Sequence, residues 1–474
     1  MENALWDYAE EINKYSGWNK DFVFGSLLIN VSRNLGKLVS VDNPKNLRPR
    51  TNLYAMLVAP PYIEQKSTLL DWEDRLSHEI QVAATDKLIE LNRSAVHDPN
   101  DHTTQLIGSD LAIEDVLKQY KDVHFKHSEF GNILFAKQRM GRYDERNLSI
   151  LNDGFYGLVS SHNFRQNSSE EADDVYITAL VDAHIGEINS GVLAIGLTRR
   201  FIIITKDFKD LIPEDKIKSF SLANAKALTD VENKYKQQIV EGLCKLVSAI
   251  QLRPDTQTIE KDGVVTTVDT FVPVRTAITV TQDTLDAIIR NSLETYKRVK
   301  QEETLIYQHE NDELVLRGAI NLAVFDYAIG KSDELVVLPQ HIMFMRDWLH
   351  SISDTLDKEV DTAQNYEFVD KLDRLTAVVT NYFTKYNKPI SLGILTNNLV
   401  WFKKLDFKER NRLINECIQR EMFMGFIYHS TDKPTHLMRE VFLPIQSYDD
   451  ACVLLSQYDI NTQDAVSYSN KYIS

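Results

Sequence analysis

The chain has 474 residues, material for about three domains and a sizeable apolar core, and its 53 Lys and Arg against 69 Asp and Glu leave a formal charge of -16. That acidity excludes a binder whose whole surface is basic, so any nucleic-acid contact must be local. Three widely spaced cysteines, Cys244, Cys417 and Cys452, exclude a disulfide framework and a paired-cysteine zinc site and point to a reducing compartment.

No apolar run reaches the roughly 18 residues of a membrane span, and the segment after Met1 is acidic and amphipathic, unlike an export signal. A cytoplasmic protein with no membrane partner is expected. Residues from Leu5 to about Leu38 place Phe22, Leu27, Leu28, Val31 and Leu35 at helical spacing and predict two helices ending near Gly36, an N-terminal helical segment over 1–48. Over 49–220 the pattern becomes that of an α/β core. The apolar run Asn52–Val58 predicts a buried parallel strand, leading through Ala59-Pro60-Pro61 into Lys66-Ser67-Thr68 and a helix. Further strands are predicted at Asp122–His127, at Val175–Val181 and at Arg200–Thr205, with spacing that favours crossover helices.

From about Ala225, Leu228, Val231, Tyr235, Ile239, Leu243, Leu246 and Ile250 fall on one helical face. A hairpin turning at Asp262-Gly263 is inserted in this helical region, which extends over 221–365, and the Thr- and Val-rich run from Asp269 to Val280 reads as strand. Residues 366–446 predict three helices and then two strands, Phe423–His429 and Leu437–Leu443, the order of a winged helix, with 447–474 as a tail.

Chemistry concentrates first at Lys66-Ser67-Thr68. A phosphate-binding loop places a lysine on the terminal phosphates and a Ser or Thr hydroxyl on Mg²⁺, between a strand and a helix. Here Gln65 replaces the glycine before the lysine, and Tyr62, Ile63 and Glu64 fill the part where glycine would supply positive φ and close approach. ATP hydrolysis also calls for an acidic pair at the end of a neighbouring strand. His127-Ser128-Glu129 stands there, with Glu129 as the second acid and serine in place of the first. Taken singly, the Lys66 loop reads more readily as plain surface, and Glu129 equally well as a solvated acid.

Together with Ser128-Glu-Phe-Gly131, Leu151-Asn-Asp-Gly154, Gly196-Leu-Thr-Arg-Arg-Phe201 and Leu316-Arg-Gly-Ala-Ile-Asn-Leu-Ala323, the Asn52–Thr68 stretch resembles the AAA+ helicase-type domain of phage and plasmid replication proteins, a primase-associated module similar to the minichromosome maintenance helicases. The resemblance implies a P-loop AAA+ core with a helical lid over 221–365, ATP and Mg²⁺ as cofactors, and a hexameric ring. It makes Lys66, Ser67 and Thr68 nucleotide-binding, with the Ser67 hydroxyl on Mg²⁺. Glu129 becomes the catalytic acid, and Arg200 the arginine finger reaching a neighbouring subunit, with Arg199 as rival. Arg317 becomes the sensor arginine on the γ-phosphate, and His184 lies where a polar sensor residue would be. Each arginine reads otherwise as a structural group: a strand cap, or a helix-face ion pair.

In the winged helix, Lys403, Lys404, Lys408, Arg410 and Arg412, beside Trp401 and Phe402, are the candidate DNA contacts, with Lys433 on the wing. Glu409, Glu416 and Glu421 dilute that charge, and such modules also serve protein contacts. Three functional readings follow. The first is a replicative helicase-like ring of a phage, virus or mobile element, in the host cytoplasm if viral, coupling ATP to translocation on DNA and partnered by a primase or polymerase. The second is a hydrolysis-deficient pseudo-ATPase ring serving as a DNA-binding scaffold, as the departures at Gln65 and Ser128 suggest. The third is a dimeric transcription regulator that uses the winged helix alone.

Overall fold

The computed structural model describes residues 3–42, 50–59, 66–93, 102–104, 116–117, 120, 122–130, 150–159, 172–173, 175–184, 200–205, 222–261, 264–300, 312–420, 422–429, 438–444, 448–458, 460 and 466–467. The chain divides into two compact units, Met1–Asp361 and Thr362–Ser474. Among the described residues no helix is long and apolar enough to cross a membrane.

The first unit opens with α1, Ala4–Ser16, capped by the Asn3 side chain and closed by Gly17 at φ 73°, and α2, Lys20–Asn34, capped by Asn19. Asparagine at these two starts and glycine at the first end satisfy backbone groups that a helix leaves unpaired. Both helices stand where the apolar spacing put them. However, α2 is buried on every face from Phe22 to Asn34, so it is a core element of this unit and no separate N-terminal segment.

After it come β1, Val39–Asp42, β2, Tyr54–Ala59, α3, Lys66–Glu90, β3, His102–Thr104, and β4, Asp122–His127. The short strands β5, Leu158–Val159, and β6, Ala172–Asp173, precede β7, Tyr176–His184, and β8, Phe201–Thr205. Five of these form a parallel sheet in the order β3-β4-β7-β2-β8. All of β2 and β8 and all but the last residue of β7 are buried, the mark of a parallel sheet covered on both faces. The unit is thus α/β, as expected. Its sheet leaves β2 flanked by β7 and β8, while the chain after β2 reappears at the far edge as β3, a reversal that opens a crevice at the carboxyl ends of the strands.

The remainder of this unit comprises α4, Leu222–Ala249, the hairpin β9, Gln251–Lys261, with β10, Val264–Val274, then β11, Thr276–Val280, α5, Gln282–Lys300, α6, Asp312–Ala328, β12, Val336–Val337, and the start of α7, Pro339–Tyr386. The expected hairpin is present, with Val264 opposite Lys261. A second parallel sheet, β1-β11-β12, ties residues 39–42 to 276–280 and 336–337, so the helical region belongs to the same unit as the main sheet.

The second unit contains β13, Ile390–Ser391, α8, Leu392–Asn398, α9, Val400–Lys404, α10, Phe407–Gln419, β14, Phe423–His429, β15, Met438–Pro444, α11, Tyr448–Ser456, and β16, Val466–Ser467. Its antiparallel sheet runs β13-β15-β14-β16 over a core that includes Leu372, Val379, Leu395, Phe402, Ile414 and Phe442. The division expected at 365/366 lies within four residues of the observed one at 361/362, both inside α7, while residues 447–474, read as a tail, supply α11 and β16. Ala451, Leu455 and Ile460 close a second core with Phe426, Val441 and Leu443.

The first unit is pinned by a buried polar network. Glu73 on α3 is fully buried and accepts from Asn30 Nδ2 at 2.9 Å and Arg33 Nη1 at 3.2 Å, both on α2. Arg33 also reaches Asp74 Oδ1 at 3.2 Å and Thr103 Oγ1 on β3 at 2.6 Å, while His124 on β4 lies 3.6 Å from Glu73 and bonds Thr178 on β7 at 2.9 Å. Burial works against the Asp74 carboxylate, but the charges of Arg33, Lys126 and His124 and the Thr103 hydroxyl together hold it below the ordinary aspartate range. Removing one partner would strand the others' charge, so Arg33→Met should cost about 3–5 kcal/mol in urea unfolding of the full chain. Because the Asp74 pKa is depressed on folding, its contribution is complete above the unfolded value, about 3.9, and is lost as the pH falls through the folded value. The Arg33→Met penalty should accordingly shrink as the pH falls through the carboxylate range, the unfolding free energies of variant and parent converging in acid.

Candidate functional site

The carboxyl ends of β2, β7 and β4 converge on the first turn of α3. Lys66, its first residue, is only 5% exposed. Its ammonium donates to Ala59 O, the last carbonyl of β2, and to Ala183 O of β7, both at 2.8 Å, and lies 3.3 Å from His184 Nδ1. An ammonium can only donate, so His184 Nδ1 is the acceptor of this contact. The register Ala59↔His184 sets this arrangement: two parallel strand ends deliver two carbonyls and a ring nitrogen to one point.

Ser67 and Thr68, the next residues of α3, are exposed. The Ser67 hydroxyl donates to Asp182 Oδ2 at 3.2 Å, and the other Asp182 oxygen accepts the backbone N–H of Glu129 at 2.8 Å. Asp182 lies on β7 opposite Leu57 of β2, one step beyond the His127↔Val181 pair that joins β7 to β4. Glu129, in the turn after β4, adopts φ 60°, a left-handed conformation that costs a non-glycine residue about 1–2 kcal/mol. Its side chain is exposed. Burial keeps the His127 pKa below the usual histidine range, against the opposing pull of the Asp182 and Glu129 carboxylates, so at neutral pH it is uncharged.

Lys66, Ser67 and Glu129, chosen from the sequence, are therefore brought together, with His184 beside them. Thr68 sits on the same turn with its side chain in solvent. Sequence reasoning missed Asp182, because a strand ending at Val181 leaves it in the following loop. The signal was present in Leu180-Val-Asp-Ala-His, an acid closing an apolar strand. Pro60–Gln65, Gly131, Gly196–Arg199 and Lys433 lie outside the described residues.

The two arginines stand elsewhere. Arg200 immediately precedes β8, whose first residue pairs with Tyr54, and its guanidinium lies 5.1 Å from the Tyr156 ring centroid. It is at the amino ends of the strands, about 20 Å from Lys66 at roughly 3.3 Å per residue. Arg317 on α6 is at the same end and 1% exposed. It donates to Asn52 O at 2.9 Å, Asn52 Oδ1 at 2.7 Å, Phe155 O at 3.0 Å and Glu313 Oε1 at 2.6 Å, and stacks 3.6 Å from the Phe155 ring centroid. The reading of Arg317 as a γ-phosphate contact is thereby corrected. The apolar helix that suggested a sensor arginine buries it against the opposite end of β2, where its donors hold backbone carbonyls.

In the second unit, Lys403, Lys404, Lys408 and Arg412 are exposed on α9 and α10, beside Val400 and Phe407 at 70% and 65% exposure. Arg410 is half-buried and its Nε donates to Asp406 O at 3.4 Å, while Arg412 packs 5.4 Å from the Phe368 ring centroid.

The oxygens at the α3 turn are hard donors, the Ser67 hydroxyl and the Asp182 carboxylate, which suit Mg²⁺. Among the described residues no three His, Cys, Asp or Glu side chains form a metal-holding group. Mg²⁺ there would thus take further ligands from phosphate and water, its usual habit. Thr205, the last residue of β8, adds a buried hydroxyl with no hydrogen-bond partner among the described residues. No protein-family model matches the chain, and no curated protein matches it.

Replacing Arg317 should be a stability lesion and leave ligand affinity alone. Arg317→Met, which strands the carbonyls of Asn52 and Phe155, is expected to lower unfolding free energy by about 3–5 kcal/mol. Should the α3 turn bind a nucleotide, its affinity in the folded fraction, read by calorimetric titration at low temperature, is expected to stay within about twofold of the parent, well under 1 kcal/mol.

Proposed function

We propose that this chain binds ATP at the carboxyl edge of its main sheet and works as a helicase-like AAA+ ring on DNA. The observation that carries the reading is the parallel order β3-β4-β7-β2-β8, with Lys66 and Ser67 after the central strand and Glu129 after β4 meeting at one edge. P-loop motors of this kind place a lysine and a hydroxyl after one strand and their acids on strands beside it. Bound Mg·ATP would supply the transferable phosphoryl group and the cation that neutralises it.

The chain's own residues divide the remaining work. The Lys66 ammonium, parked on two carbonyls, exchanges them for phosphate oxygens, a charge-assisted bond worth about 1.5–3 kcal/mol. The N–H groups of the first α3 turn favour the same anion. Ser67 offers its hydroxyl to the metal side, and the exposed Glu129 carboxylate accepts the proton of an attacking water. Arg200, too far from Lys66 within its own chain, suits a role at a neighbouring subunit's nucleotide, which supports a ring of copies.

The second unit supports the DNA side. The end of α7, then β13, α8, α10 and the pair β14/β15, with β13 joined to β15, follow winged-helix order. In that reading α10 is the helix offered to a groove, and the exposed cations on α9 and α10 meet phosphates. Gln65 and Ser128 favour the second reading, a ring that binds DNA without hydrolysis.

Steady-state ATPase with and without DNA separates the two. Lys66→Ala and Glu129→Gln should each lose at least about 100-fold in rate. Equal rates in parent and both variants would leave only the scaffold. DNA binding should weaken steeply with salt, and changing Lys403, Lys404, Lys408 and Arg412 to Ala should flatten the log–log salt slope by up to about 3.6, at 0.9 per phosphate contact. Solution mass should be that of a ring; a dimer with one preferred duplex sequence would favour a regulator.

A further inference from the structure

The structure assigns to Asp182 the place of the acid that Ser128 leaves missing at the end of β4: a positioning residue that holds the metal-side hydroxyl and the water-side acid from the strand between them. The inference rests on the nucleotide reading above and deepens it.

Three observations carry it. First, β7 lies between β2 and β4, so a carboxylate near its end reaches both the α3 turn and the turn after β4. A residue on β4 itself faces that task from one strand further away. Second, Asp182 is 2% exposed and its electrostatic neighbour is His127, which burial keeps uncharged at neutral pH. Its partners are two neutral donors, Ser67 Oγ and Glu129 N–H. A carboxylate this deeply buried is costly without a countercharge, and a divalent cation at the Ser67 hydroxyl would supply one. Third, the left-handed backbone of Glu129 is held by its N–H bond to Asp182. Strain of that kind persists where surrounding contacts overdetermine it, as at sites that must aim a side chain. One carboxylate thus fixes Ser67 through one oxygen and aims Glu129 through the other.

The division of labour explains how Ser128 is tolerated at the turn. The acid has moved one strand over, where it can bond both groups. Hydrolytic competence then does not require an aspartate at the end of β4.

The test is equilibrium titration of the full chain with a fluorescent ADP analogue, in Mg²⁺ and in EDTA. The parent should bind about tenfold more tightly with Mg²⁺, 1.4 kcal/mol. Asp182→Asn and Ser67→Ala should each lose that gain while keeping the EDTA affinity within about threefold, whereas Lys66→Ala should lose affinity in both buffers. Adding Ser128→Asp to Asp182→Asn should restore part of the gain, which a merely structural role would not allow. If Asp182→Asn binds the nucleotide and retains the full Mg²⁺ gain, the inference fails and the nucleotide reading stands. A parent that binds no nucleotide in either buffer overturns both. Should the Asp182 variants not fold, Ser67→Ala, at an exposed position, still decides: an undiminished Mg²⁺ gain there overturns the pairing.

Discussion

The position of β7 between β2 and β4 is the constraint on which the rest of the first unit depends. A parallel sheet sends all its carboxyl ends to one edge, and a strand in the middle of three can bond groups delivered by both neighbours. Through β7, Lys66 finds the Ala183 carbonyl and His184, Ser67 finds Asp182, and the turn at Glu129 is tied down. Had β2 and β4 been adjacent, the lysine turn and the acidic turn would lack that shared anchor.

The two ends of the sheet are used in opposite ways. At the amino ends the polar groups are consumed by structure. Arg317 holds Asn52 and Phe155, Asn321 donates to Thr51 O at 2.7 Å, and Tyr176, its pKa pushed up to about 12 by burial, bonds Ser32 and Thr51. The Arg33–Glu73 network performs the same service between α2, α3 and the β3 side. At the carboxyl ends the bonds seen among the described residues are made to groups that a ligand could displace, and coexist with a strained turn. A fold that spends its arginines on rigidity at one edge can leave lysine, serine and acids poised at the other.

Strand and helix positions were legible wherever period and burial agreed. β4 was read to the residue, and β2 and β8 to within two, because continuous apolar runs bounded by turns are what doubly covered strands require. Boundaries between domains were less legible. The end of one unit lies inside a 48-residue helix, and a polar C-terminal stretch packs as α11 and β16. No composition shift marks either fact, since a helix can serve two cores and a short amphipathic helix resembles a tail.

The sequence by itself determined four strands of the main sheet, β2, β4, β7 and β8, the lysine-serine pair at the head of a helix, the acid after β4 and the cations of α9 and α10, because each is a matter of residue type at local spacing. It could not place Arg317, whose helix reads the same whether the guanidinium meets a phosphate or a carbonyl. Nor could it show that Asp182 stands where Ser128 falls short. Both depend on strand order and register, which bring residues more than 50 positions apart within 3 Å, and only the tertiary structure decides which strand lies beside which.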